Sequence, residues 1–519
     1  MGQVAKISSN ATGLRRAEEA TPGVLPGSPV WVPMEPNSYG DFGSTLTLLA
    51  RTPINDGRQR KKGNITDLDA VANFSIDLTP KNFSEDFQGF FFADFRRKAE
   101  FGYGSSTQDI TGIATSDDSY SAASGLNIFR AGDLVFASGF SNALNNGLKQ
   151  VATAASGKIT VTTNLADETP GADVGSLVQV GFQFGSGEVD IDATVGAYPK
   201  LVRVSGTKDF TQFGLIPGEF VFIGGDLTAE KFSTAANNGF CRVRSVSASE
   251  IVFDKTASTM VDETGTGKTI RIFFGRVLKN EIGSSIVTRT YQFERTLGAP
   301  DSSQPTEIQS QYVKGSYANE LTMNVPTANK VTLDLAYVSL DEELRDGPTG
   351  VKSGSRPSIE EADCFNTSSD VTKFKIQQHS ATDSNPSALF SYIEDLKFKI
   401  VNNITPDKAV GVLGGFDASA GFFTVSAEVT AYFANVSAIS LVRSNADVTL
   451  EMHLVKSNGG ISLDLPLIAL GNGKLNVEPN TAIKIPLTQD AATASKIATD
   501  LNHTALMVFW DYLPNAADA

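Results

Sequence analysis

The sequence predicts a mainly β protein: a sandwich- or barrel-like unit present in two copies, each with a short helix, and interrupted by small inserted all-β modules. Three observations predict it. Long stretches alternate apolar and polar residues with period two, as half-buried strands do. A small strand–turn–strand module occurs twice within residues 125–278. A strand followed by a helix occurs at 72–92 and again at 422–445.

Taken in order, residues 1–43 are rich in Gly, Pro, Ser and Asn and show neither hydrophobic period, so they read as an extended arm. Trp31 is its one large anchor, and the arm packs either on its own domain or on a neighbouring subunit. Residues 44–124 open the first host unit. There Phe74, Ile76 and Leu78 alternate with Ser75 and Asp77, and a helix is expected from Pro80 with Thr79 as cap and Phe83, Phe87, Phe90 and Phe91 on one stripe. Residues 125–200 and 201–280 are the two modules. "AGDLVFASGF", "NNGLKQVATAASGKITVTT" and "DETPG" in the first answer "PGEFVFIGGD", "NNGFCRVRSVSASEIVFDK" and "DETGTG" in the second. Residues 281–345 resume the first unit, with Tyr291 and Phe293 opposite Glu294, and Leu333 and Leu335 opposite Asp334. A polar linker or loop is expected over 346–390. Residues 391–519 form the second unit, where Val425, Ala427 and Val429 oppose Glu428, and Leu450, Met452 and Leu454 oppose Glu451 and His453. A short helix over 435–447 presents Val436, Ile439 and Val442.

Composition restricts the chemistry. With 43 Lys and Arg against 58 Asp and Glu, the 519-residue chain carries a formal charge of −15, unsuited to wrapping a duplex. Its 3 histidines have no spacing partner, its 2 cysteines form no framework, and neither a catalytic elbow nor a cofactor motif occurs. "GTGKT" at 265–269 lacks the first glycine of a phosphate loop, and Asp67–Asp69 and Asp190–Asp192 lack a calcium-loop pattern. No catalytic, cofactor or metal residue is therefore expected, and no run is apolar enough to span a membrane. The basic run Arg58, Arg60, Lys61 and Lys62 sits in a polar loop without aromatics, which suits ionic pairing with an acidic subunit surface better than nucleic acid.

"RKKGNITDLDAVANFSIDLTPKNFSEDFQGFFFADFR", the Asn-Asn-Gly modules, "NNITPDKAVGVLGGFDASAGFFTVSAEVTAYF" and "LPLIALGNGKLNVEPN" together resemble the major tail tube proteins of long-tailed, non-contractile bacteriophages (siphophages). The resemblance implies a virion protein, made in the host bacterial cytoplasm, whose rings stack into a hollow tube that conducts DNA during ejection. It implies tape measure and tail terminator proteins as partners, with DNA passing the lumen unbound. A duplicated unit would close as a trimer with pseudo-sixfold symmetry, and a single unit as a hexamer. An acidic lumen would repel phosphate, which makes Glu294, Asp334, Glu428 and Glu451 candidate channel residues. A baseplate or capsid component shares this enzyme-free profile. A carbohydrate-binding adhesin is the other alternative, although the chain has only 2 Trp.

Overall fold

The computed structural model describes residues 7, 12–54, 56–57, 59–102, 108–172, 174–298, 308–359, 361–390, 392–433, 436–475 and 477–518. The chain opens with β1 (Gly13–Glu18), β2 (Val32–Met34), β3 (Pro36–Arg51), β4 (Lys61–Asp77) and helix α1 (Phe87–Phe91). It then builds a second sheet from β5 (Glu100–Phe101), β6 (Ile110–Ala114), β7 (Ser119–Ala122), β8 (Asp133–Ser138), β9 (Gly147–Ala155), β10 (Lys158–Val161), β11 (Ser176–Gln183), β12 (Val189–Asp192), β13 (Lys200–Arg203), β14 (Phe220–Ile223), β15 (Gly239–Val246), β16 (Glu250–Thr256), β17 (Glu263–Thr264) and β18 (Arg271–Phe273). It returns through β19 (Arg276–Lys279), β20 (Thr290–Gly298), β21 (Gln309–Pro326), β22 (Thr332–Ser339) and β23 (Asp341–Arg345). The remainder is β24 (Val371–Gln378), β25 (Ile393–Val401), a separate hairpin of β26 (Thr405–Lys408) and β27 (Gly415–Ser419), β28 (Thr424–Tyr432), helix α2 (Ser437–Arg443), β29 (Val448–Lys456), β30 (Gly459–Asn472), β31 (Lys484–Ala491) and β32 (Leu506–Trp510).

The protein is mainly β, and its strand pairs are antiparallel. One pairing scheme occurs twice. The run β3–β4–β22–β21–β20 is matched by β25–β28–β31–β30–β29, and a helix follows β4 and β28 alike. The two runs meet where β21 pairs with β25. Alternation accounts for the wall: Val425, Ala427, Val429 and Ala431 of β28 are buried while Thr424, Glu428 and Tyr432 are exposed. Under the dry face, Phe83, Phe87, Phe90 and Phe91 fill one continuous core, with Phe90 5.3 Å from Tyr337 and Phe87 5.3 Å from Phe509.

Two expectations about this part are corrected. The helix starts at Phe87 rather than Pro80, because Thr79 Oγ1 accepts the Asn82 N–H at 3.0 Å while Asn82 bonds back to Thr79 N and Asp77 O, closing a turn that goes no further. Asp86, at the cap position, is instead committed to a buried ion pair with Arg16 of β1. Residues 1–43 are not without core elements: β1 and β2 extend the wall sheet beside β20, and β3 begins at Pro36. Trp31 is fully buried in its own chain, against Tyr312 at 5.6 Å, and its indole N–H donates to Ser353 O at 3.0 Å.

The second sheet has two cores of its own, one around Phe101, Tyr120 and Phe140 and one around Phe184, Phe213 and Phe253. The repeated Asn-Asn-Gly makes the same bonds in both places. Asn146 caps the Phe140 N–H and donates to Phe140 O and Asn142 O, as Asn238 does with Phe232 and Thr234. Asn145 donates to Glu168 at 2.7 Å and Asn237 to Glu263 at 2.8 Å. Each of these glutamates also accepts the backbone N–H groups just upstream, at Ser141–Asn142 and Ser233–Thr234. Gly147 and Gly239 follow at φ of 89° and 116°, a conformation closed to most side chains. One local problem, tying a loop to the strand that leaves it, is thus solved twice by the same atoms.

Candidate functional site

The wall presents one broad polar surface. Cross-strand registers place Ser75, Asp334, Thr322, Lys399, Ser426 and Asp490 in one row over β4, β22, β21, β25, β28 and β31. The neighbouring row holds Asp77, Thr332, Asn324, Lys397, Glu428 and Thr488. Asp334 and Glu428 are exposed and lie on this common face together with exposed Asp490 and half-buried Glu320, two acids that the sequence pattern alone does not single out. The face is not uniformly acidic. Lys397 and Lys399 form a stripe along β25 between flanking carboxylates, and Lys399 pairs with Glu320 at 2.7 Å. Asp334 accepts from Asn324 at 2.8 Å.

Glu294 and Glu451 are elsewhere, which corrects their assignment to an open surface. Glu294 is fully buried: Arg356 Nη2 and Tyr312 OH each donate to it at 2.6 Å. The polar face of β20 is covered by the 352–356 loop and the Trp31 arm rather than by water. Glu451 is buried beneath the second sheet, 2.5 Å from Lys373. Burial works against its ionisation, but Lys373 and Lys255 outweigh this and hold the carboxyl at about 2.

Glu451 belongs to a charged cluster sealed between the second sheet and the wall. Arg242 of β15 donates through Nε and Nη2 to Asp254 at 2.8 and 2.9 Å, and through Nη1 to Asp464 of β30 at 3.0 Å. Lys255 of β16 reaches the same Asp464 at 2.7 Å. Beside it, His453 stacks on Phe240 at 4.2 Å, and its Nδ1 shares a 2.7 Å hydrogen bond with the Ser462 hydroxyl, which also accepts from the Trp510 indole N–H. An apolar layer of Phe220, Phe222, Phe273, Val508 and Leu513 surrounds the cluster. His453 was expected on a wet strand face; that face is the seat of the second sheet.

Burial pushes both His453 and His503 down to about 3, so each ring is neutral when folded. Between about pH 6.5 and 3 the unfolded chain binds more protons than the folded one, so stability falls as pH falls, by about 1.4 kcal/mol per histidine per pH unit. Glu451 adds to this only at lower pH, its contribution being intact above its unfolded value and lost towards pH 2. Thermal melts at pH 7, 6 and 5 are expected to show a steady fall in midpoint, with the slope reduced in His453→Gln. A midpoint unchanged from pH 7 to 5 would contradict this assignment.

The β3–β4 hairpin projects beyond its last partner: β22 pairs with β4 only between Ala70 and Asp77, whereas the hairpin runs to Arg51 and Lys61. Leu46, Leu48 and Leu49 are exposed on the projection, Leu48 at 69%. Arg60, Lys61 and Lys62 are exposed at its tip; Arg58 lies outside the described residues. The β26–β27 hairpin lies alongside, joined by Lys408 Nζ to Asp67 at 2.6 Å and Asp69 at 2.7 Å, and carries exposed Val410, Leu413 and Phe416. The Asp67–Asp69 pair thus serves a lysine, and Asp192 of the second acidic pair likewise pairs with Lys200 at 3.4 Å. Among the described residues no group of three His, Cys, Asp or Glu could hold a metal, and no helix is long and apolar enough to cross a membrane. The Gly265–Thr269 segment is a turn between strands β17 and β18, with Lys268 Nζ on Thr228 O.

No curated protein matches the chain. A polar-faced wall over an aromatic core, with apolar hairpins left open at one end, is the form of a subunit made to be joined by others. The family model described as phage tail tube protein matches residues 9–491, and the chain belongs to that family.

Proposed function

We propose that the protein forms stacked rings whose bore is lined by the polar face of β4, β22, β21, β25, β28 and β31, and that this bore conducts DNA in a siphophage tail. The observation that supports this is the continuous sheet with one dry face and one predominantly polar face, wide enough to be a wall segment. Its carboxylates repel phosphate, and its lysines are flanked by acids that offset them, so DNA finds no uninterrupted basic track. The two copies of the strand scheme favour a ring of three chains with pseudo-sixfold symmetry over a hexamer. The projecting hairpins dock on the next ring, where Arg60, Lys61 and Lys62 would meet acidic groups. The second sheet decorates the exterior. Tape measure and tail terminator proteins would occupy the bore and the tube end, and the chain would be made in the host cytoplasm.

Electron microscopy of the concentrated protein is expected to show hollow rings or tubes, threefold in averages. Single discs or shells would favour a baseplate or capsid component, and persistent monomers an adhesin. In assembled virions, Asp334→Lys with Glu428→Lys is expected to slow DNA ejection, since both are exposed and their replacement spares the core. Ejection at the normal rate would remove these residues from the bore.

A further inference from the structure

We infer that the open edge of β3 in one protomer pairs with the open end of β30 in the next, and that this contact between chains copies the β21–β25 junction within each chain. The inference rests on the ring reading above and adds to it the two edges that meet.

The doubled strand scheme singles out these two edges. Within the first copy, β20 accompanies β21 as far as Tyr317, paired with Thr290, and then leaves it. Beyond that point β21 has β22 on one side and β25 on the other, from Glu320 opposite Val401 to Pro326 opposite Asp395. The second copy repeats the first half of this arrangement. There β29 accompanies β30 as far as Ile468, paired with Val448, and leaves; β31 continues along one side to Asn472. Among the described residues no strand pairs with the other side of Ala469–Asn472. In the scheme its missing partner is the counterpart of β25, which is β3.

The β3 strand is correspondingly half used, since among the described residues its ladder goes to β4 alone. Along Pro36–Asp41 it exposes Asn37, Ser38, Gly40 and Asp41, and β30 exposes Ala469 and Asn472. Both are small or polar edges that offer backbone groups rather than an apolar patch, which suits strand addition. Their polar faces also agree: Ser38 is opposite Ser75 and Ala469 opposite Asp490, both members of the row that crosses the wall. The β3 irregularities between Pro36 and Ser38 and between Tyr39 and Phe42 limit the match to a few residues, and the open part of β30 is equally short. One chain carries both edges, so the contact is head-to-tail and repeats until the ring closes.

Paired cysteines test it. Ser38→Cys with Ala469→Cys, in a Cys364→Ser background that leaves only buried Cys241, is oxidised after assembly and run on a non-reducing gel. Asn37→Cys or Asp41→Cys with Asn472→Cys covers a shifted register. Thr322→Cys with Lys399→Cys closes the corresponding junction inside one chain and should change only the mobility of the monomer. At least one cross-chain pair is expected to convert most of the protein to linked species ending at a closed ring, with each single variant staying monomeric on the gel. Tubes that form normally but link at none of these pairs, while the internal control closes, would overturn the edge assignment and leave the tube function intact. Absence of rings in the wild type would overturn the tube reading and this inference with it.

Discussion

Arg242→Met is expected to lower the stability of the junction between the second sheet and the wall by about 3–5 kcal/mol, the cost of breaking a buried ion pair from one side. Arg242 is about 1% exposed, and among the described residues it alone pairs with both Asp254 and Asp464. Methionine fills much of the same space but leaves Asp254 without its fork and Asp464 with Lys255 alone. Arg242→Lys keeps the charge and loses the planar fork, so it should fall between the two. The measurement is thermal or urea unfolding followed at Trp510, which packs 5.6 Å from Phe240 in the same layer. A loss below about 1 kcal/mol would mean that the cluster is not sealed from water. The same geometry bears on removing the second sheet: deletion would uncover Asp464, Glu451 and His453 together, so assembly of such a truncated wall needs those positions made polar-compatible first.

Replacing Leu46, Leu48 and Leu49 together by serine is expected to abolish tubes while leaving the melt of the monomer unchanged. All three are already exposed, on a part of the hairpin that β22 does not reach and that the β26–β27 hairpin meets through Lys408 on the β4 side, so the folded chain loses little packing. A two-stranded ribbon of this kind is marginal alone and gains its order on docking. Burying each leucine contributes about 1.5–3 kcal/mol, so the triple change raises the concentration needed for assembly on the order of a thousandfold or more. Sedimentation of the concentrated protein checks it; tubes pelleting at the wild-type threshold would free the hairpin from any role in stacking.

Alternation made the wall legible in the sequence, because strands such as β22 and β28 have one face on the core and one on solvent. It failed where a second layer covers the polar face. Glu294 and Glu451 have the same pattern around them as Asp334 and Glu428, yet the first lies under Arg356 and the second under the inserted sheet. Period-two patterning separates two faces and carries no information about what later packs on either. The first half of β3 carries no alternation to read, since only Tyr39 and Phe42, three residues apart, reach the core among otherwise polar, Gly and Pro residues. Glu168 and Glu263 could have been recognised, because the "DET" they belong to follows each Asn-Asn-Gly at similar distance. Their role needed the loop geometry, which brings the glutamate back to the asparagine.

The doubled scheme is also interrupted unequally, and this sets an order of events during synthesis. The second copy follows in nearly unbroken sequence from β25 to β31, whereas β4 must wait for β22, which lies beyond the whole second sheet. Pairing across so long a loop is slow, and the inserted strands, whose partners are mostly near in sequence, can close their cores first. The last strand, β32, completes the junction by joining β30 to β19. A growing chain therefore leaves the first half of its wall unpaired until β22 (Thr332–Ser339) has been made, and the proposed β30 edge (Gly459–Asn472) follows later still, so nascent subunits cannot present both proposed edges to one another until then.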